Sequence, residues 1–158
     1  EIEYFKNNFD NEQGLVNATV PENRWTSIDT YNNCQTIAVW TGIGYAFSAL
    51  ALAVGESEIS DTVVDSIHSN QLRLGHFWDH WECGHHYTRP MSSWSTLIAA
   101  LGMSVDYENK KLTFSPKKGN ILLPLVLPDI LAKVKITDGK CSIDCIEGNL
   151  DGWEIRVK

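Results

Sequence analysis

Near Gly102 the spacing of apolar residues changes from helical to alternating, and this limits the fold more than any other feature of the chain. Between Thr36 and Val54, apolar residues from Ile37 and Trp40 to Leu50 and Leu52 fall on nearly every side, as in a helix buried on most faces. Gly42 and Gly44 each cost such a helix about 1 kcal/mol relative to Ala. They suit places where a neighbouring helix or a ligand approaches the backbone closely. Ser60, ahead of Asp61-Thr62-Val63, predicts the N-cap of a second helix running to about Leu72. Pro90 suits the first turn of a third, carrying Trp94, Leu97, Ile98 and Leu101 and ended by Gly102. Asn7-Asn8, Gly14, Pro21 and Asn23 mark residues 1–30 as irregular.

Downstream of Gly102, Met103–Tyr107 and Leu112–Phe114 alternate around an Glu108-Asn109-Lys110 turn, which predicts a hairpin. Further strands are expected at roughly 121–127, 132–137, 141–146 and 153–157, with a break at Leu127-Pro128-Asp129. The expected fold is therefore mainly α with a β C-terminal tail: a helical part over 1–102, then a hairpin and strand extension over 103–158.

Composition removes several function classes. The chain has 158 residues, 43% hydrophobic and 21% charged, as in globular proteins. Its longest apolar run, Ala46 to Val54, is far short of the ~20 residues needed to span a bilayer. A net charge of −7 argues against nucleic acid, whose phosphates need a basic surface. Glu1-Ile2-Glu3-Tyr4 has neither the basic flank nor the apolar core of a signal peptide, and its abrupt start suggests an upstream portion. Cys141 and Cys145, if on one strand, lie ~13 Å apart, beyond the ~7 Å limit for a disulfide. Reduced thiols point to a cytoplasmic protein.

The segment 76–89 carries the most chemistry. It holds four of the five histidines, with Phe77, Trp78, Trp81, Asp79, Glu82 and Arg89, whereas plain connectors are small and polar. A neutral sugar is bound by flat aromatic faces against its C–H surface and by fixed polar groups that take several hydroxyls. Trp78, Trp81, Glu82, His85, Tyr87 and Arg89 supply that set. The blander alternative is a packed corner in which Glu82 and Arg89 pair with each other. A zinc site is a third reading, since Glu82, His85, His86, His76 and His80 are suitable ligand types. Their spacing matches no zinc signature, and Gly84 breaks the helical face that would align them. Trp40-Thr41-Gly42 suits a helix start bordering a cavity, although Trp40 serves equally as core.

At these residues the chain resembles glycoside hydrolase family 116, which includes non-lysosomal glucosylceramidase and microbial β-glucosidases and β-xylosidases. Gly14-Leu15-Val16-Asn17 with Pro21 is similar to the family's Gly-x-Val-Asn and following turn. Gln35, Val39-Trp40-Thr41-Gly42 and Tyr45 resemble one of its helices. Glu82-Cys83-Gly84-x-x-Tyr87-x-Arg89-Pro90 and Trp94 resemble the loop and helix leaving its sugar site. Gly102 and the hairpin ending Leu112-Thr113-Phe114-Ser115-Pro116 follow in the same order, so the likeness covers about residues 12–116.

The resemblance implies the last helices of an (α/α)6 barrel, followed by β-strands. It also implies retaining hydrolysis of a β-glycoside by two carboxylates that lie upstream of the matched part. The residues carried over are binding ones: Glu82 accepting from sugar hydroxyls, Arg89 donating or pairing with Glu82, His85 and Trp81 beside them, and Trp40 and Thr41 bordering the site. No cofactor, metal or nucleic acid is implied; the partners are a β-glycoside and the upstream portion of the enzyme or a partner subunit. The isolated chain is expected to be inactive. Ala38 stands where the family usually has Glu before Val-Trp-Thr-Gly. The rival reading is a non-catalytic carbohydrate-binding or interaction module.

Overall fold

A computed structural model describes residues 2–9, 14–16, 39–75 and 91–158. Among these are four helices: α1 (Ile2–Asn8), α2 (Thr41–Ala53), α3 (Ser57–Leu74) and α4 (Met91–Leu101). Six strands follow: β1 (Ser104–Asp106), β2 (Lys111–Phe114), β3 (Ile121–Leu127), β4 (Ile130–Thr137), β5 (Lys140–Glu147) and β6 (Glu154–Val157). They form two three-stranded sheets, ordered β1-β2-β6 and β3-β4-β5. The expectation of a mainly α chain, the last helices of an (α/α)6 barrel, is thus overturned: the fold is α+β. The strands beyond Gly102 are a folded unit in their own right, with a core that takes up a residue of the last helix.

In the helical part, α2 and α3 are joined by a tight turn at Val54-Gly55, where Glu56 N–H bonds Ala51 C=O at 2.8 Å. Helix α3 begins at Ser57, not at the predicted cap Ser60. Ser60 is buried inside the helix, where its hydroxyl lies 2.6 Å from that of Ser48 on α2. The hydroxyl that resembled a cap instead joins two helices. Phe5, Ala51, Ile59, Val63 and Ile67 form the core here, with Phe9 and Phe47 against Phe5 at ring separations of 4.5 and 5.1 Å. Phe5 belongs to α1, a helix in a segment expected to be irregular; Asn7-Asn8 lies at its end.

The change of regime falls at Gly102, as the periodicity predicts. Its φ of 56° is left-handed, and Met103 N–H bonds Ile98 C=O while Gly102 N–H bonds Ala99 C=O. This is the Schellman C-cap that glycine favours. The remaining carbonyls at the helix end are taken up by the chain leaving β2: Lys117 N–H bonds Ala100 C=O at 2.9 Å, and Ser115 N–H reaches both Leu101 and Gly102 C=O.

The two sheets share one core. Alternation along β4 buries Ile130, Ala132, Val134 and Ile136, while Leu131, Lys133, Lys135 and Thr137 take the other face. Leu112 and Phe114 of β2, Ile121 and Leu125 of β3, and Leu101 of α4 complete it. β3, β4 and β5 form an antiparallel meander, with a bulge that leaves Ile146 outside the ladder. β6 returns to lie parallel beside β2, fixed by Glu154 N–H to Lys110 C=O and Lys158 N–H to Phe114 C=O. Trp153 meets Tyr107 edge-on at 5.3 Å, and the Tyr107 hydroxyl donates to Asp129 at the β3–β4 turn over 2.7 Å.

Two tests follow from these junctions. A Cβ on Gly102 would lie 1.9 Å from the backbone oxygen of Ser115. Gly102→Ala should therefore destabilise the chain by ~2–4 kcal/mol, from strain at positive φ and displacement of the strand. A loss below ~1 kcal/mol in urea unfolding would contradict this junction. The second test concerns Tyr107, whose pKa is raised above 10.0, chiefly by donation to Asp129. Because the neutral phenol is favoured in the folded chain, the bond's contribution to stability is present below pH 10 and lost as pH rises through the raised pKa. Asp129→Asn should move the Tyr107 phenolate titration downward, read as a difference against Tyr107→Phe; an unchanged midpoint would refute the pairing.

Candidate functional site

Four of the six expected binding residues, Trp81, Glu82, His85 and Arg89, lie outside the described residues, as does the whole segment 76–90. The elements on either side of that segment are α3 and α4. Helix α3 ends at Gly75 in the left-handed conformation, with Gly75 N–H bonded to Gln71 C=O at 2.9 Å. Helix α4 begins at Met91 and packs along α2.

The other two expected residues, Trp40 and Thr41, are described. Trp40 occupies the N-cap position of α2 with extended backbone (φ −96°, ψ 111°), and its carbonyl accepts the N–H of Gly44. Thr41 is the first helical residue, and both side chains are half-buried. Trp40 is thus at the mouth of the helix rather than sealed in the core. The start of α2 is fixed from two directions. On one side, Val39 bridges to Val16 in antiparallel fashion. On the other, a Cβ on Gly44 would meet Ile67 Cδ1 at 2.8 Å, so the buried glycine admits α3 rather than a ligand. Tyr45, one residue on, carries a pKa raised by burial, and its carbonyl accepts from Thr96 Oγ1 of α4 at 3.2 Å.

Gly14 explains how Val16 reaches Val39. Its φ of 86° is left-handed, and a Cβ there would approach Ser66 Oγ at 3.0 Å and Asn70 Nδ2 at 3.3 Å. The glycine lets residues 14–16 cross α3 at close range and pair beside the start of α2. Pattern reading missed Ser66: its hydroxyl is buried and, among the described residues, has no hydrogen-bond partner. A single small polar residue inside a helical pattern carries no signal of that environment.

Among the described residues no group of three or more His, Cys, Asp or Glu is arranged to hold a metal ion. The histidines weighed as zinc ligands all lie within 76–90. Cys141 and Cys145 are free thiols on β5. No described helix is long and apolar enough to cross a membrane. A cavity of about 310 Å³ is lined by Lys135, Thr137, Asp138, Lys140, Cys141 and Ser142, at the β4–β5 turn and on neither element that holds Trp40 or the ends of 76–90. No family model matches the chain, and no curated protein matches it.

The two buried serine environments give opposite expectations. Ser66→Ala removes an unsatisfied hydroxyl and should leave stability unchanged or slightly raised. Ser48→Ala leaves Ser60 without its hydroxyl partner and should cost ~1–3 kcal/mol. Chemical denaturation compares the two, and equal losses would contradict the assignment.

Proposed function

We propose that this chain forms the sugar-binding portion of a retaining β-glycoside hydrolase resembling glycoside hydrolase family 116, with the catalytic carboxylates supplied by the upstream portion of the enzyme. One observation carries this reading: the described parts of the separated motifs are linked to one another by contacts. Val16 of Gly14-Leu15-Val16 bridges to Val39 at the head of the Trp40-Thr41-Gly42 helix. That helix packs on α4, which bears Trp94 and ends at Gly102, and Gly102 is joined to Ser115 of the last motif. Glu82, Arg89, His85 and Trp81 fall in the segment between α3 and α4. In this reading Glu82 accepts hydroxyl protons of the glycone and Arg89 donates, with Trp81 offering an apolar ring face.

A further observation favours a chain that works with additional structure. Ile43, Ala46, Leu50 and Ala53 run along one exposed stripe of α2, and Met91, Trp94 and Ile98 along one of α4. Met91 is 81% and Trp94 48% exposed. The upstream portion, or a partner subunit, would cover this apolar surface.

The test separates binding from hydrolysis. Saturation-transfer NMR of the chain with an aryl β-glucoside should show contact to the sugar ring protons. Glu82→Gln should weaken binding about tenfold, the loss of roughly one charge-assisted hydrogen bond. The chain alone should leave the glycoside intact, and adding the upstream portion should restore hydrolysis. Absence of transfer, or an unchanged affinity in Glu82→Gln, would sink the proposal.

A further inference from the structure

Among the described residues the β3-β4-β5 sheet has two unpaired edges, and they differ. On the β3 edge, Pro124 interrupts the middle of the strand and supplies no N–H, a common guard against edge pairing. β5 runs eight residues without proline, and only Cys141 and Ile143 are even half-buried. Its bulge at Ile146 sits near the end of the strand, clear of the central run.

The side chains of β5 divide cleanly. Cys141, Ile143 and Cys145 pair with Ile136, Val134 and Ala132 of the core, and Cys141 and Ile143 pack against it. Lys140, Ser142, Asp144 and Glu147 pair with Thr137, Lys135, Lys133 and Leu131 and share the outer face. Neither Lys140 nor Glu147 has an ion-pair partner among the described residues.

We infer that this edge pairs antiparallel with β5 of a second copy of the chain, about a two-fold axis at Ile143. In that register Ser142 faces Asp144 of the second copy. With the bulged Ile146 passed over, Lys140 faces Glu147. Cys141 faces Cys145, and Ile143 meets its own mate on the core side. Each unlike pair occurs twice, because the interface is isologous. Neighbouring registers are less favourable on charge. A shift one way sets Asp144 against Asp144; the other faces Lys140 with Asp144 but sets Glu147 against Asp138 of the β4–β5 turn. Shifts that pair odd with even positions turn one core face to solvent. The product is a continuous six-stranded sheet in which backbone hydrogen bonds carry the affinity and the charges select the register.

Opposed Cα atoms in such a ladder are about 4.5–5.5 Å apart, within the span of a disulfide. Cys141 of one copy and Cys145 of the other therefore become bridgeable, which two positions on one strand are not. Diamide would trap the pair: the two thiols give up two protons and two electrons, which reduce the diazene to the hydrazine.

Sedimentation velocity of the 158-residue chain should show a dimer in reversible exchange with monomer. Glu147→Lys should lose the dimer, and Lys140→Glu with Glu147→Lys should restore it. Diamide treatment of the unsubstituted chain should give a covalent dimer whose peptides map to Cys141–Cys145, a readout independent of the variants' folding. A chain that stays monomeric up to its solubility limit overturns the proposal. So does a dimer indifferent to Glu147→Lys, or cross-links that never join Cys141 to Cys145.

Discussion

The backbone exchange at Gly102 is the constraint on which the arrangement depends. A helix leaves its last carbonyls without intrahelical donors. At the end of α4, the glycine cap satisfies two of these carbonyls, and the chain leaving β2 supplies donors to the next three. The helical and strand regimes are therefore joined by hydrogen bonds as well as by sequence continuity. Leu101 is placed where it fills the β core, and the Lys118–Asp61 ion pair adds a contact from the strand side back to α3.

Much of this was legible because short-range chemistry wrote it. The 3.6-residue spacing gave α2 and α4, Gly102 marked a helix end, and alternation located the strands to within a few residues. What escaped was set by distant partners. Ser60 has the composition of a cap, but its environment is decided by Ser48 on another helix. The parallel return of β6 to β2 depends on a partner some forty residues away, about which local pattern says nothing. Beyond Gly102, short strands build two sheets instead of an appendage.

The candidate site rests on residues of 76–90, outside the described residues. Its residue types, aromatic rings with a carboxylate and a guanidinium, state a chemistry before any geometry is known. The fold adds how the surrounding elements are held. Gly14 admits residues 14–16 across α3, Gly44 admits Ile67, and Thr96 ties α4 to the carbonyl of Tyr45. These contacts fix the start of α2 and the packing of α4 against it.

The sharing of Leu101 has a kinetic side. Its side chain is 1% exposed within the strand core, while the backbone preceding it is wound in α4. Opening the last turn of α4 would expose that core, and melting the sheets would strip donors from the helix end. The amides of this turn should therefore exchange with solvent at the slow rate of the strand unit, while the first turn of α4, beginning at the exposed Met91, frays on its own. A single helix would then span two cooperative units, with the boundary running through its length.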